Sequence, residues 1–264
     1  MSLTVASILV LMFLNLVLGS VSIPLKSVWN IICGLGDEPV TWQNIVWKSR
    51  LPQALTALVA GAGLAISGLQ MQTVFRNPLA GPSVLGISSG ASMGVAFVVL
   101  LSGSLGGVAL SKLGVMGEIA LSIAAVIGSL SVMALIVYVS QKVKGNVTLL
   151  IIGVMIGYVA NAVIGVLKFF SVEEDIRAYV IWGLGSFSRV SGNQMMLFVA
   201  IMAILIPLSF LLIKTLNLML LGDGYARNLG LNIKRARLLV ITSAGVLTAI
   251  VTAYCGPVIF CLLY

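Results

Sequence analysis

The sequence predicts an all-α, polytopic membrane protein with about seven transmembrane helices. Of its 264 residues, 60% are hydrophobic and only 8% are charged, whereas charged residues make up about 25% of a typical soluble domain. The mean hydropathy is +1.17. Apolar stretches of about 20 residues, the length that a helix needs to cross the hydrocarbon core, alternate with short polar segments containing proline or glycine.

The residue types present exclude several functions. The formal net charge is +8, but the basic residues are scattered between apolar runs without interleaved aromatic residues, which argues against a nucleic-acid interface. The chain has no histidine, and its cysteines, Cys33, Cys255 and Cys261, show no CxxC spacing. We therefore expect no metal site, no cofactor and no nucleic-acid partner.

The first span is predicted from Leu3 to Val21. No basic residue precedes it, which favours an uncleaved span over a signal peptide. Pro24 closes it, and Leu25–Ser49 forms a connecting segment with three interfacial tryptophans, Trp29, Trp42 and Trp47.

The second and third spans surround a tight reversal. The apolar run Ala54–Val74 is followed by Asn77 and Pro78, and a proline there ends the helix because it lacks an amide donor. The apolar pattern restarts at Val84. Three glycines at intervals of four then predict one close-packing helix face: Gly86, Gly90 and Gly94.

The fifth span contains a second series at intervals of four. It is predicted from Val147 to Leu167, after a fourth span from Gly117 to Val139. Its four small or polar residues fall on one helix face: Gly153, Gly157, Asn161 and Gly165. Two interpretations remain open, a helix-packing seam or the lining of a pore with one polar side chain.

The remaining spans enclose two shorter segments. Ala178–Ser188 is too short to cross a membrane, so we expect an interfacial or re-entrant helix. The sixth span is predicted from Gln194 to Ile213, with a kink at Pro207, and the seventh begins at Leu238.

Between these spans, Leu216–Arg237 interrupts the transmembrane pattern and predicts two short amphipathic helices at the membrane surface. Gly222 and Gly224 are expected to allow the sharp turn between them, and Asp223 to cap the second helix. The apolar residues of this segment recur at helical spacing: Leu221, Tyr225 and Leu229.

These segments resemble a known family. The stretches RLP, AGAGLAISGLQMQ and FRNPLAGPSVLGISSGA are similar to the second and third spans of the FecCD family of ABC-importer permeases, which take up iron-siderophores, haem and cobalamin. The stretch LLGDGYARNLG resembles the segment in which that family docks paired short helices into a groove of the ATPase. The resemblance implies a multi-pass inner-membrane permease with a cytoplasmic N-terminus, and no enzyme activity of its own.

The resemblance also implies partners and site residues. The partners are ABC ATPase subunits, a second permease subunit (an identical copy or a paralogue) and a periplasmic or lipid-anchored substrate-binding protein. Arg50 is implied to dock the binding protein, although Gln53 stands where the family has a second arginine. The residues implied to couple to the ATPase are Leu221, Gly222, Asp223, Gly224, Tyr225, Ala226, Arg227, Leu229 and Gly230.

Other functional classes have less support. A secondary transporter, the main alternative, needs ionisable groups within its spans, and none of the seven acidic residues lies in the middle of one. A membrane enzyme lacks a catalytic pair, and no GxxxxGK[ST] phosphate-binding loop is present. The family has about ten spans and continues where this chain reads CGPVIFCLLY, so we expect a truncated permease, with a non-functional fragment as a further alternative.

Overall fold

A computed structural model of the protein describes residues 2–35, 38–104, 115–143, 146–190 and 192–258. All regular elements within these ranges are helices, as the composition predicted. Cys261 lies outside the described residues. In chain order the elements are α1 Ser2–Val17, α2 Leu25–Cys33, α3 Val40–Ile45, a π-helical turn Val46–Arg50, α4 Leu51–Phe75, a 3-10 turn Pro82–Leu85, α5 Ile87–Ser104, α6 Val115–Lys142, α7 Asn146–Phe169, α8 Glu173–Gly183, a 3-10 turn Phe187–Arg189, α9 Gly192–Phe210, α10 Ile213–Leu220, α11 Asp223–Asn228 and α12 Ile233–Cys255.

Each predicted span corresponds to a helix, but the helices differ in length. Four are long and apolar enough to cross a membrane alone: Val40–Phe75, Met116–Lys142, Val147–Phe169 and Ile233–Cys255. Helices α9 and α10 qualify together as one span bent by 46°. The predicted first and third spans are helices of only 16 and 18 residues, or about 24 and 27 Å at 1.5 Å per residue.

The helix of the second span begins well before the predicted start at Ala54. It runs from Val40 to Phe75, with the π-helical turn directly before Pro52. Proline cannot donate to the carbonyl group four residues earlier, and a widened turn is one way in which a helix accommodates that loss. Residues 40–49, which the sequence pattern assigned to a connecting segment, therefore belong to the helix of the second span.

The chain divides into two units, Met1–Ala60 with Phe187–Ala200, and Gly61–Ser186 with Ile201–Tyr264. A small apolar cluster occupies the first unit, where α1, α2 and the π-helical turn meet. Trp42 and Leu51 pack against its edge. Its buried members are Leu16, Ile23, Val28, Ile31 and Val46.

In the second unit, glycines bring α5 and α6 into backbone contact. A methyl group at Gly90 would lie 2.7 Å from the carbonyl oxygen of Gly128, and one at Gly94 would overlap the carbonyl oxygen of Ala124. Gly86 is not on this face, contrary to the prediction. It precedes α5 with φ +74°, and a methyl group there would lie 2.9 Å from the carbonyl oxygen of Gly153 on α7.

Polar side chains join α4, α5 and α12 inside the same unit. Ser67 Oγ lies 2.9 Å from the carbonyl oxygen of Ala244 and 2.8 Å from Thr248 Oγ1. Ser88 and Thr252 approach within 3.5 Å through their hydroxyl groups. Such bonds stabilise helix packing in lipid, where an unpaired hydroxyl group has no water to bind.

The reversal after α4 has the geometry of a Schellman helix end. Arg76 adopts a left-handed conformation with φ +49°, and the Asn77 amide donates to the Gln72 carbonyl oxygen at 3.2 Å. Asn77 Oδ1 accepts the Leu79 amide at 2.9 Å, and Gln72 Nε2 donates to the Pro78 carbonyl oxygen at 2.9 Å. The proline and the asparagine thus shape the turn in different ways.

Candidate functional site

The amphipathic segment forms two short helices, α10 and α11, joined at Gly222. This glycine has φ +106°, a conformation that disfavours any side chain, and Gly230 with φ +84° follows the end of α11. Gly224, by contrast, lies within α11, and nothing lies within 4 Å of a methyl group built there. The expectation that both Gly222 and Gly224 form the turn is therefore wrong for Gly224.

Asp223 is the first residue of α11 and does not cap it through its side chain, contrary to the prediction. Its carboxylate faces two arginines instead. Arg76 Nη2 donates to Asp223 Oδ1 at 2.5 Å, and Arg237 Nη2 lies 3.9 Å from Asp223 Oδ2. Sequence reasoning missed Arg76 because its partner is 147 positions away. Its place directly after an apolar helix was the available clue.

The outer face of these helices is apolar and exposed. The exposed fractions of Leu221, Tyr225 and Leu229 are 60%, 71% and 62%. Ala226 is fully buried on the opposite side, whereas Arg227 is exposed. We call the exposed apolar residues the docking face: Leu220, Leu221, Tyr225 and Leu229.

A second candidate site is a groove along α7 that combines small and polar groups. Asn161 is exposed and lies beyond the middle of the helix, and Tyr158 is 65% exposed. The groove is lined by Ser83, Val84, Gly86, Ser89, Gly153, Val154, Gly157, Tyr158 and Asn161. A hollow on another face of α7 is lined largely by apolar side chains, among them Met155, Ile156 and Val159.

The two interpretations of the glycine series on α7 apply to different residues. A methyl group at Gly153 would lie 2.8 Å from both Leu85 Cα and the Val84 carbonyl oxygen, so this glycine lies in a packing seam. One at Gly157 would lie 3.4 Å from Ser89 Oγ, an approach that the serine can relieve. Nothing lies within 4 Å of the corresponding position at Gly165.

Helix α8, which corresponds to the predicted interfacial or re-entrant segment, packs against α5. Tyr179 and Trp182 are buried, and burial raises the pKa of the Tyr179 hydroxyl group despite a hydrogen bond with Ser92. Burial, with a smaller contribution from Glu174, also raises the pKa of the Asp175 carboxyl group. The Ser186 amide beyond α8 donates to the Cys255 carbonyl oxygen at 2.7 Å, which fixes this segment to the end of α12.

Arg50 does not occupy an exposed position. It is only 5% exposed, and Nη1 donates to the carbonyl oxygens of Leu16 and Val17 at 2.8 and 2.9 Å, while Nη2 donates to that of Val21. The carbonyl groups of Leu16 and Val17 lie at the end of α1, where no further helical amide is available to them, and that of Val21 lies in the segment that follows. In this structure the guanidinium group of Arg50 closes a helix end, and the docking role that the resemblance implies for Arg50 stays a prediction.

Known proteins share the sequence pattern and the helical fold of this chain. The FecCD transport family matches residues 7–263. The chain belongs to the FecCD transport family. A solved structure described as an inward-facing conformation of a metal-chelate type ABC transporter superposes with a TM-score of 0.78 at 26% identity, covering 97% of this chain and 75% of that one.

Two FecCD relatives indicate the range of transported molecules. The hemin transport system permease protein HmuU of Yersinia pestis is 31% identical over 92% of the chain. The vitamin B12 import system permease protein BtuC of Serratia proteamaculans is 35% identical over 83% of it. The chain spans 70% of the length of the first relative and 62% of the second.

For this FecCD protein we expect Arg50→Glu to destabilise the first unit. The change would place a carboxylate against three carbonyl oxygens and leave them without a donor, at a cost of about 3–5 kcal/mol. Folded protein recovered in detergent should fall strongly, whereas Lys48→Glu, a matched charge reversal at an exposed site in the same turn, should have little effect. Equal recovery of the two variants would contradict the helix-closing role.

Proposed function

We propose that the chain is the membrane-spanning permease subunit of an ABC importer for an iron-chelate, haem or cobalamin-type substrate. The observation that carries this proposal is the docking face. Leu221, Tyr225 and Leu229 are exposed together on two short helices, in a segment that also contains several basic residues, and a clustered exposed apolar surface of this kind marks an interaction site. A groove on an ATPase subunit would bury them, as helix-in-groove recognition requires.

In this proposal the chain itself hydrolyses nothing. Separate ATPase subunits supply the energy through the docking face, and a periplasmic or lipid-anchored binding protein delivers the substrate from the opposite side. The N-terminus and the α10–α11 segment then lie in the cytoplasm. A second permease, identical or a paralogue, completes the translocation pathway.

The groove on α7 is the proposed contribution of this chain to that pathway. Gly157 offers no side-chain bulk in the groove, and hydroxyl or amide groups, among them that of Asn161, are its polar elements. Gly165, four residues beyond Asn161, is proposed to continue the same helix face. A large substrate bound weakly to such a wall can leave it again, which transport requires. Gly153 contributes at the packed edge of the same groove.

The test is the energy source of transport. The permease is reconstituted in liposomes with its partner ATPase and binding protein, and uptake of haemin and of vitamin B12 is measured separately. Uptake should fall to background when the phosphate-binding lysine of the ATPase is replaced, because that residue holds the transferred phosphate. It should persist when an ionophore dissipates the proton gradient while ATP is maintained.

The ionophore arm separates this proposal from a secondary transporter. Uptake that follows the proton or sodium gradient and ignores ATP would contradict the permease assignment. Liposomes with the ATPase but without the permease provide the background for both substrates.

A further inference from the structure

Asp223 connects three parts of the second unit. It begins α11, and its carboxylate contacts Arg76 from the reversal after α4 and Arg237 from the second turn of α12. Arg76 Nη2 also lies 3.4 Å from the carbonyl oxygen of Met219 near the end of α10. The joint between α10 and α11 is thus attached to two of the long apolar helices.

The backbone at Arg76 makes this attachment unexpected. Its φ of +49° is the only positive value at a non-glycine residue in the part of the chain that the structure describes. A left-handed helix end is usually glycine, because other side chains raise its conformational energy. Arginine is thus conformationally disfavoured at the end of α4, yet Arg76 stands there and its guanidinium group binds Asp223.

Stability does not explain the contact. The side chains of Arg76 and Asp223 are 45% and 44% exposed, and ion pairs of that exposure contribute little to folding because water and salt screen them. What the contact does is fix where α11 begins relative to the end of α4. The contact therefore determines the position of α11 and contributes little to the free energy of folding.

We propose that Arg76 and Arg237 are positioning residues that act through Asp223, so that displacement of the docking face by the ATPase is transmitted to α4 and α12. This inference rests on the proposed function. Buried Leu216 and Met219 already pack α10 into the core that α4 and α12 share. Without the attachment, however, α11 could turn at Gly222 while the long helices stayed in place. With it, the segment moves the membrane helices to which Asp223 is bound.

Arg76→Gly separates positioning from folding. Glycine suits the left-handed conformation, so the variant should insert and unfold like the wild type or be more stable, while the guanidinium group is lost. In the complete complex, we expect substrate transported per ATP hydrolysed to fall at least about fivefold, with ATPase binding retained, a coupling effect of the usual size. Arg76→Lys, which keeps the charge, should recover about half of the ratio.

A double-mutant cycle and a control test the partner. Arg76→Gly with Asp223→Asn should lower the ratio no further than the stronger single variant, because both changes remove the same contact. Arg235→Gln is the control, since Arg235 is exposed on the same first turns of α12, whereas the ion pairs of Asp223 within the described residues are with Arg76 and Arg237. It should leave the ratio unchanged.

A measurement on the permease alone distinguishes failure of this inference from failure of the proposed function. Nitroxide labels are placed at Leu79, in the reversal, and Asn228, in α11, after replacement of the cysteines. Arg76→Gly should broaden the label-to-label distance distribution measured by pulsed EPR. An unchanged distribution, or an unchanged transport ratio in an active complex, would overturn the inference. If substrate uptake by the wild-type complex did not depend on ATP, the proposed function would be overturned instead.

Discussion

Leu229→Asp should release the ATPase from the permease. Leu229 is 62% exposed on the docking face, and burial of a leucine side chain in a partner groove contributes about 1.5–3 kcal/mol. The variant loses this contribution and adds a carboxylate that the groove must desolvate. Affinity for the ATPase should therefore fall at least about tenfold, since 1.4 kcal/mol corresponds to a factor of ten.

The measurement is co-purification of the ATPase, together with substrate-stimulated ATPase activity in liposomes. Asn228→Asp is the matched control, because it adds the same charge to the neighbouring exposed position without removing an apolar side chain. Retention of the ATPase by Leu229→Asp would contradict the docking face. Equal loss in both variants would assign the effect to charge alone.

Gly94→Ala should destabilise the second unit. The added methyl group meets the carbonyl oxygen of Ala124, a backbone atom that cannot move aside as a flexible side chain would. We expect a cost of about 1–3 kcal/mol from overpacking, which exceeds the gain of about 1 kcal/mol that alanine offers a helix. Thermal unfolding in detergent should begin at a clearly lower temperature.

Gly61→Ala is the control for that change. Gly61 also lies within a helix, but nothing lies within 4 Å of a methyl group built there, so only the helix propensity should change. The two variants should therefore shift the unfolding temperature in opposite directions. An unfolding temperature that Gly94→Ala leaves unchanged or raises would contradict the close contact between α5 and α6.

The sequence predicted the order of the apolar helices because the length of an apolar run reflects the bilayer thickness that a helix must cross. Within the described residues, four helices are long and apolar enough to cross alone, and α9 and α10 together form a fifth, bent candidate. The sequence predicted the ends of the helices less well. The extension of the second span to Val40 depends on a π-helical turn, which has no simple residue pattern. α1 ends at Val17, four residues before the predicted end of the first span at Val21, and hydrophobicity does not encode that position.

Side-chain roles were harder to predict than helices. Asp223 was assigned to a helix cap from its local position, but its carboxylate binds Arg76, which is 147 positions away. The bonds from Arg50 to the end of α1 span up to 34 positions, and no local pattern indicated them. Spacing by four correctly gathered glycines into series, yet it could not show that Gly86 lies outside α5. Periodicity gives a face of a helix, whereas contacts across helices require the assembled fold.

Asn161 has a consequence for a single copy of the chain. Placed in hydrocarbon, an exposed amide group without a hydrogen-bond partner costs about 1–3 kcal/mol, and α7 presents this one beyond the middle of its length. Pairing two chains around a hydrated passage would remove that cost. The folded chain should therefore be more stable in the membrane when its partner chain is also present. A chain made without that partner would expose the amide group to lipid.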